Sequence, residues 1–444
     1  MINSGKPMIL VTAPVQTRSG YGNHSRDICQ ALIEMGKYDV RIQSVRWGTT
    51  PPNALEKNNP IHQEIEKRIM TESNLERQPD LHIHIVIPNE FQPIGKKNIG
   101  VTAGIETTIP PAKWLEGVNR MDLTICTSEF AKSGLKDTTY DKQDVNTGQA
   151  IGELKVVKPL DVLFEGADPE IYKEVKDFSE GISTEFTKIN DEFCFLFVGH
   201  WLNGNLGEDR KDVGMMLKVF LETFKNQKNA PALILKTSSA GFSVVDKKKL
   251  FEKINMIKSD VTHDTLPNVY LLHGDLTDSE MNEMYNHPKV KAHLTFTHGE
   301  GFGRPLLEAS FSGKPVIAPI STGQADFLDK SYTVELPHTM TKIPKAAFPK
   351  EFQNSEAKWS TVNYNSASKI MKDVFNKYEK YRLKGKKQMI VNRELFTQEK
   401  MQNKLESIVD KMLDGMAQKV ELKLPKLQER ADSVKLKLPT LKKG

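Results

Sequence analysis

What this sequence lacks narrows it first. Its 444 residues contain only three cysteines, Cys29, Cys126 and Cys194, far apart and without paired metal spacing. That excludes a disulfide framework or a C-x-x-C site and fits a reduced, cytoplasmic setting, with each thiol a small buried apolar residue. No stretch approaches the run of about 18 apolar residues that spans a bilayer. The opening Met1–Pro7 shows no basic-then-apolar leader pattern. G-x-S-x-G elbows and Gly-Lys-Ser/Thr phosphate loops are missing too. Nor is the body basic. Lys and Arg exceed Asp and Glu by 62 − 57 = +5, and residues 419–443 alone hold eight Lys/Arg against three acids, 8 − 3 = +5. A basic nucleic-acid-binding body is therefore not indicated, whereas the tail leaves a nucleic-acid partner open. Its repeats, Glu421-Leu-Lys-Leu-Pro-Lys-Leu427 and Lys435-Leu-Lys-Leu-Pro-Thr-Leu441, suit either an extended docking peptide or a solubilising tail.

What is present is a repeated α/β pattern. Short apolar runs alternate with amphipathic stretches, the signature of parallel strands joined by helices. Strands are predicted at Met8–Thr12, Val40–Val45, Leu81–Ile87, Asn98–Thr102, Leu123–Thr127 and Val157–Phe164, with a helix over Gly20–Gly36. After a polar stretch over 168–190, read as a linker, a second series begins at Phe193–Val198. It continues with a helix at Gly214–Lys225 and strands at Ala232–Lys236 and Val269–His273. A helix at Ser279–Tyr285 and strands at Ala292–Phe296 and Pro315–Ala318 complete it. The expected organisation is an α/β chain of two doubly wound, Rossmann-like domains, residues 1–165 and 190–362. Closing helices over 363–416 and the basic tail over 417–444 follow.

The densest chemical signal is His298-Gly-Glu-Gly-Phe-Gly-Arg-Pro-Leu-Leu-Glu308-Ala-Ser310. Gly299, Gly301 and Gly303 let backbone approach a ligand around Glu300. Pro305 marks the start of a helix, whose N–H groups suit phosphate or polyhydroxyl ligands. Glu308, about one turn further, faces the same crevice at the strand ends. Two adjacent cations, Arg210 and Lys211, precede the helix at Gly214 and match a diphosphate. Lys236, at a strand end, is read as either a third cation or a surface lysine. His82 and His84 lie on one strand and are read as packing rather than metal ligands.

The segment resembles the E-x7-E signature of retaining glycosyltransferases of family 4 (glycosyl transferases group 1), and Ser310-Phe-Ser-Gly-Lys-Pro-Val-Ile317 resembles the strand that follows it. Thr17-Arg-Ser-Gly-Tyr-Gly-Asn-His24 is similar to the family's first glycine loop, and Phe164-Glu-Gly-Ala-Asp-Pro169 to its turn into the linker. Gly104–Trp114 and Met121–Phe130 resemble one subgroup's acceptor-side run. The resemblance implies a GT-B fold whose last helix crosses back to the first domain. It implies Glu300 on donor-sugar hydroxyls and Glu308 on the ribose. Gly20, Gly22, Gly301, Phe302 and Gly303 become donor-binding, and Glu106 an acceptor-side candidate. Arg210 and Lys211 take the diphosphate. The family's usual phosphate-binding Arg position is His200 here, read as either a neutral substitute or a strand-end residue.

The implied activity is transfer of a sugar, with retention, from a nucleotide-diphosphate donor (UDP-glucose by base rate) to an unidentified acceptor hydroxyl. No bound cofactor or metal is expected. The alternatives are a phosphorylase-like or epimerase-like relative, an inactive GT-B scaffold, or a DNA-associated accessory protein acting through its tail.

Overall fold

The computed structural model describes residues 5–414 except 73, 145, 203, 240, 346 and 348–353. The basic tail lies outside the described residues, and so do the readings attached to it.

Two six-stranded parallel sheets organise the chain. The first contains β1 (Met8–Ala13), β2 (Asp39–Ser44), β3 (Leu81–Ile85), β4 (Lys97–Thr102) and β5 (Leu123–Cys126). A two-stranded hairpin, β6 (Tyr140–Gln143) and β7 (Ala150–Leu154), precedes β8 (Leu160–Val162), which joins the sheet in the order β2-β1-β3-β4-β5-β8. The second contains β9 (Cys194–His200), β10 (Ala232–Ser238), β11 (Val269–Leu272), β12 (Val290–Leu294), β13 (Val316–Ala318) and β14 (Val334–Glu335), ordered β11-β10-β9-β12-β13-β14. β15 (His338–Lys342) and β16 (Lys358–Val362) form a separate antiparallel pair.

The central strands are apolar because helices cover both faces of such sheets. All six residues of β1 and all seven of β10 are buried. In each sheet the first strand has a later strand on either side, β2 and β3 beside β1, and β10 and β12 beside β9. The connections there leave in opposite directions and open a crevice at the strands' C-terminal ends. The loops after β1, β9 and β12 all begin there.

The helices are α1 (Gly20–Glu34), α2 (Pro60–Glu66), α3 (Ala112–Asn119), α4 (Glu129–Asp137), α5 (Glu180–Thr187), α6 (Val213–Phe224), α7 (Val244–Ser259), α8 (Asp278–Asn286) and α9 (Arg304–Ser310), followed by α10 (Tyr364–Asn376), α11 (Tyr378–Leu395) and α12 (Gln398–Leu413). α10 packs on α6, with Ala367, Met371 and Val374 in the core around Phe195 and Phe220. α12 returns to the first sheet, where Met401, Leu405, Ile408 and Val409 share a core with Ile9, Val11 and Ile28. Two doubly wound sheets with this returning helix make the GT-B arrangement.

Two local readings, of the linker and of the strand that precedes it, are corrected. The 168–190 stretch is not simply irregular: Ser179 caps α5, its hydroxyl accepting from Ile182 N, and Ile182 and Phe186 are buried. The strand read over Val157–Phe164 shortens to β8, and Val157 is 72% exposed. His82 bonds Thr12 Oγ1 at 2.9 Å and Gln92 O at 3.0 Å, and His84 Nδ1 accepts from Gln92 N at 3.2 Å, so both rings are spent on local hydrogen bonds. All three cysteines are buried and free. Among the described residues no helix is long and apolar enough to cross a membrane.

Candidate functional site

Between the two sheets lies a cavity of about 550 Å³ lined from both sides. A larger hollow of about 870 Å³ flanks β2, but most of its charges pair locally: Arg41 with Asp39, and Lys67 and Arg68 with Glu64. The interdomain cleft instead gathers buried charge from distant parts of the chain.

At its floor the loop after β9 meets the loop after β12. Their backbones join where His298 N donates to Arg210 O at 2.8 Å. Lys211 Nζ lies 2.5 Å from both carboxylate oxygens of Glu300. Arg210 donates to Gly299 O at 3.0 Å and reaches Glu300 at 3.6 Å and Glu106, on the opposite domain, at 3.1 Å. Burial opposes charge on Arg210, Lys211 and Glu300. On Glu300 the two cations outweigh it and hold the carboxyl below its usual range, while Lys211, repelled by Arg210, ends below its own. The pair sits on a strained support: Asp212 has φ 50°, and its carboxylate accepts from Tyr364 Oη at 2.7 Å.

The glycines around Glu300 have separate reasons. A Cβ on Gly299 would stand 2.4 Å from Glu106 O, and one on Gly301 2.7 Å from Ala103 O, so only glycine lets the two domains approach this closely. Gly303 has φ 101° and begins α9. Gly301 O accepts from Thr127 Oγ1 at 3.1 Å and Ser128 Oγ at 2.7 Å, both on the opposite domain. Gly301, Phe302 and Gly303 line the cleft, as does Gly20 at the start of α1. Gly22 packs tightly over Thr17, where a Cβ would meet its carbonyl oxygen at 2.1 Å, and is not part of the lining.

Glu308 lines the cleft but is already engaged. Oε1 accepts from Arg304 Nε at 2.9 Å and Oε2 from Tyr285 Oη at 3.3 Å. Arg304 also pairs with Asp27 on α1, which links the domains through one guanidinium. Burial pushes the Glu308 carboxyl up to about 7, against the pull of Arg304. Lys236 donates to Gly274 O and lies 5.1 Å from the Phe242 ring centre. It is buried, not a surface lysine, and burial lowers it to about 8. His200 ends β9 within the lining, exposed to the cleft, its Nδ1 3.2 Å from Ser238 Oγ, and its enclosure there, with Lys211 and Arg210 nearby, keeps it below the usual histidine range.

Sequence reasoning passed over Arg304, Asp27, Glu165, His24, Tyr21 and Trp47. Two of them are buried cleft residues with unused polar atoms. Neither ring nitrogen of His24, nor Oε2 of Glu165, has a hydrogen-bond partner among the described residues. Burial lowers His24 to about 3 and raises Glu165 to about 8, so both are neutral at pH 7. Both stand inside quoted motifs, so the segments were visible and the burial was not. Among the described residues no three His, Cys, Asp or Glu side chains converge as metal ligands.

No family model matches the sequence, and neither does any curated protein. Solved structures do. A sucrose-phosphate synthase from Thermosynechococcus elongatus superposes with a TM-score of 0.59 at 12% identity, covering 92% of this chain and 99% of its own. HepE from Anabaena, in complex with UDP-glucose, gives 0.59 at 13% identity over 91% and 99%. A glycosyltransferase from Rickettsia africae gives 0.57 at 13% identity over 92% and 99%. At such low identity these likenesses speak for the fold, and they extend over almost the whole chain.

Proposed function

We propose that this GT-B chain is a glycosyltransferase that moves a sugar, with retention, from a UDP-linked donor to an acceptor hydroxyl. The observation that carries the reading is Arg210, Lys211, Glu300 and Glu308 meeting in one cleft between the two sheets. HepE, which shares this fold, is described with UDP-glucose bound, and that supports UDP-glucose as the first donor to test. The domain limits of 1–165 and 190–362, with closing helices over 363–416, are part of the proposal.

In the proposed step the bond from the anomeric carbon to the β-phosphate oxygen breaks. The acceptor oxygen bonds to that carbon from the same face. Its proton passes to the departing phosphate oxygen, so UDP and the new glycoside account for every atom. Negative charge grows on the diphosphate, where Arg210 and Lys211 stabilise it in a cavity that excludes much of the water. Glu300 exchanges part of its contact with Lys211 for donor-sugar hydroxyls and orients the ring. Glu308 holds the ribose, and Gly20 with the Gly301–Gly303 loop keeps backbone close to the donor. No protein nucleophile is required.

The test is a thermal-shift and turnover screen of UDP-, GDP-, ADP-, CMP- and dTDP-sugars with wild type and Glu308→Ala. A UDP-sugar should raise the melting temperature of wild type alone, and be slowly hydrolysed without acceptor. No shift and no hydrolysis with any donor would favour an inactive scaffold.

A further inference from the structure

The acceptor half of the cleft carries an aromatic surface that the phosphate chemistry does not use. Tyr21 and Trp47 have ring centres 4.2 Å apart with planes inclined by 30°, and both line the cavity. Tyr21 is fixed by its hydroxyl, 2.9 Å from Thr102 Oγ1 and accepting from Ala103 N at 3.1 Å. Trp47 is half-buried, packed against the core around Val86 and Phe91. It stands in a turn after β2, closed by Thr50 N donating to Trp47 O at 3.0 Å and helped by Gly48 at φ 51°.

We propose that Trp47, backed by Tyr21 packed against it, forms the acceptor platform and that the acceptor is a carbohydrate. The apolar face of a pyranose ring lies on Trp47, and its hydroxyls point towards Glu106 and Thr50. This inference rests on the glycosyl-transfer reading and names the substrate class of the same site. A pyranose has one face of C–H groups and a rim of hydroxyls. The surface here matches it, with the Trp47 indole lining the same cavity as the Glu106 carboxylate and the Thr50 hydroxyl. An acyl chain would leave the Thr50 hydroxyl unmatched. A nucleobase would also stack, but it brings a phosphodiester. Of the acceptor-domain arginines that line the cleft, one is held by backbone oxygens and the other faces two carboxylates. Arg18 lies near Glu56 and Asp275, and Arg26 donates to Val15 O and Thr17 O at 2.8 and 2.9 Å.

The experiment is saturation-transfer NMR on the full chain. The ligands are glucose, galactose, mannose, N-acetylglucosamine, maltose and cellobiose, set beside thymidine, cytidine and a short single-stranded oligonucleotide. UDP-glucose is measured in every sample as the donor probe. Wild type should saturate at least one saccharide, most strongly at the ring protons of its apolar face. Trp47→Ala should bind it about tenfold more weakly, the loss of one aromatic stacking face. Trp47→Phe should restore part of the signal, and UDP-glucose should respond equally with all three proteins. Undiminished saccharide signals in Trp47→Ala would overturn the proposal, as would responses from the nucleosides or oligonucleotide alone. So would saccharide silence in a wild-type protein that binds UDP-glucose. Saccharide binding that depends on Trp47, with no UDP-glucose response, would sink the glycosyl-transfer reading and leave the platform standing.

Discussion

Lys211 and Glu300 show how costly the site's residues are to change one at a time. Lys211→Ala leaves the Glu300 carboxylate buried with only Arg210 near it. A loss of up to about 3–5 kcal/mol in stability is expected, with turnover down about 10²- to 10³-fold. Pairing Lys211→Met with Glu300→Gln should recover stability in a denaturant titration without recovering turnover. If both returned together, the pair would be a structural bridge and nothing more. Glu165 offers a test without substrate. Its folded carboxyl titrates near 8, well above its ordinary 4.5, because it is buried. The folded state therefore keeps its proton longer than the unfolded chain, and this contribution to stability is lost as pH rises through about 8. Glu165→Gln cannot ionise. From pH 6 to pH 9 its melting temperature should fall less than that of wild type. Parallel curves would mean Glu165 is not held neutral.

Among the elements, α12 tests how far the two halves depend on each other. It is the last described helix, yet Leu405 is buried in the core of the first sheet. Leu405→Ala should cost about 2–5 kcal/mol, as for other large-to-small core changes, and equilibrium unfolding would measure it. A cost near zero would mean that α12 merely rests on the sheet. Legibility at this scale followed burial. Strands such as β1 and β10 are continuous apolar runs because both faces are covered, and a sequence shows that directly. The β6–β7 hairpin is mostly exposed, with only Leu154 buried, so it has no apolar alternation to announce it. α7 hid for a related reason: Val244, Val245, Phe251 and Met256 are exposed, which blurs its apolar stripe.

For the whole molecule, closure is the property to perturb. The domains meet through Arg304 with Asp27, Arg210 with Glu106, and the hydroxyls of Thr127 and Ser128 on Gly301 O. Gly299→Ala adds a Cβ that would stand 2.8 Å from that of Glu106 across the cleft. Neither domain alone contains that clash, so folding should be spared while closure is blocked. UDP should then compact wild type but not the variant in small-angle scattering, and turnover should fall at least tenfold. Equal compaction in both would show that Gly299 does not set the approach.

The sequence by itself determined the two-sheet plan, because strand burial and helix periodicity are local and repeat twice along the chain. It also determined where the dense motif lies, since glycines, a helix-starting proline and two carboxylates at fixed spacing are visible without coordinates. The tertiary structure alone decided which charges face each other. Glu300 meets Lys211 across 89 positions, and Arg304 meets Asp27 across 277. It also decided protonation: Glu165 becomes neutral at pH 7 only because folding removes water from it, and the same burial keeps the His24 ring uncharged well below neutral pH. Spacing along a chain is local chemistry, whereas desolvation and partner choice belong to the closed cleft.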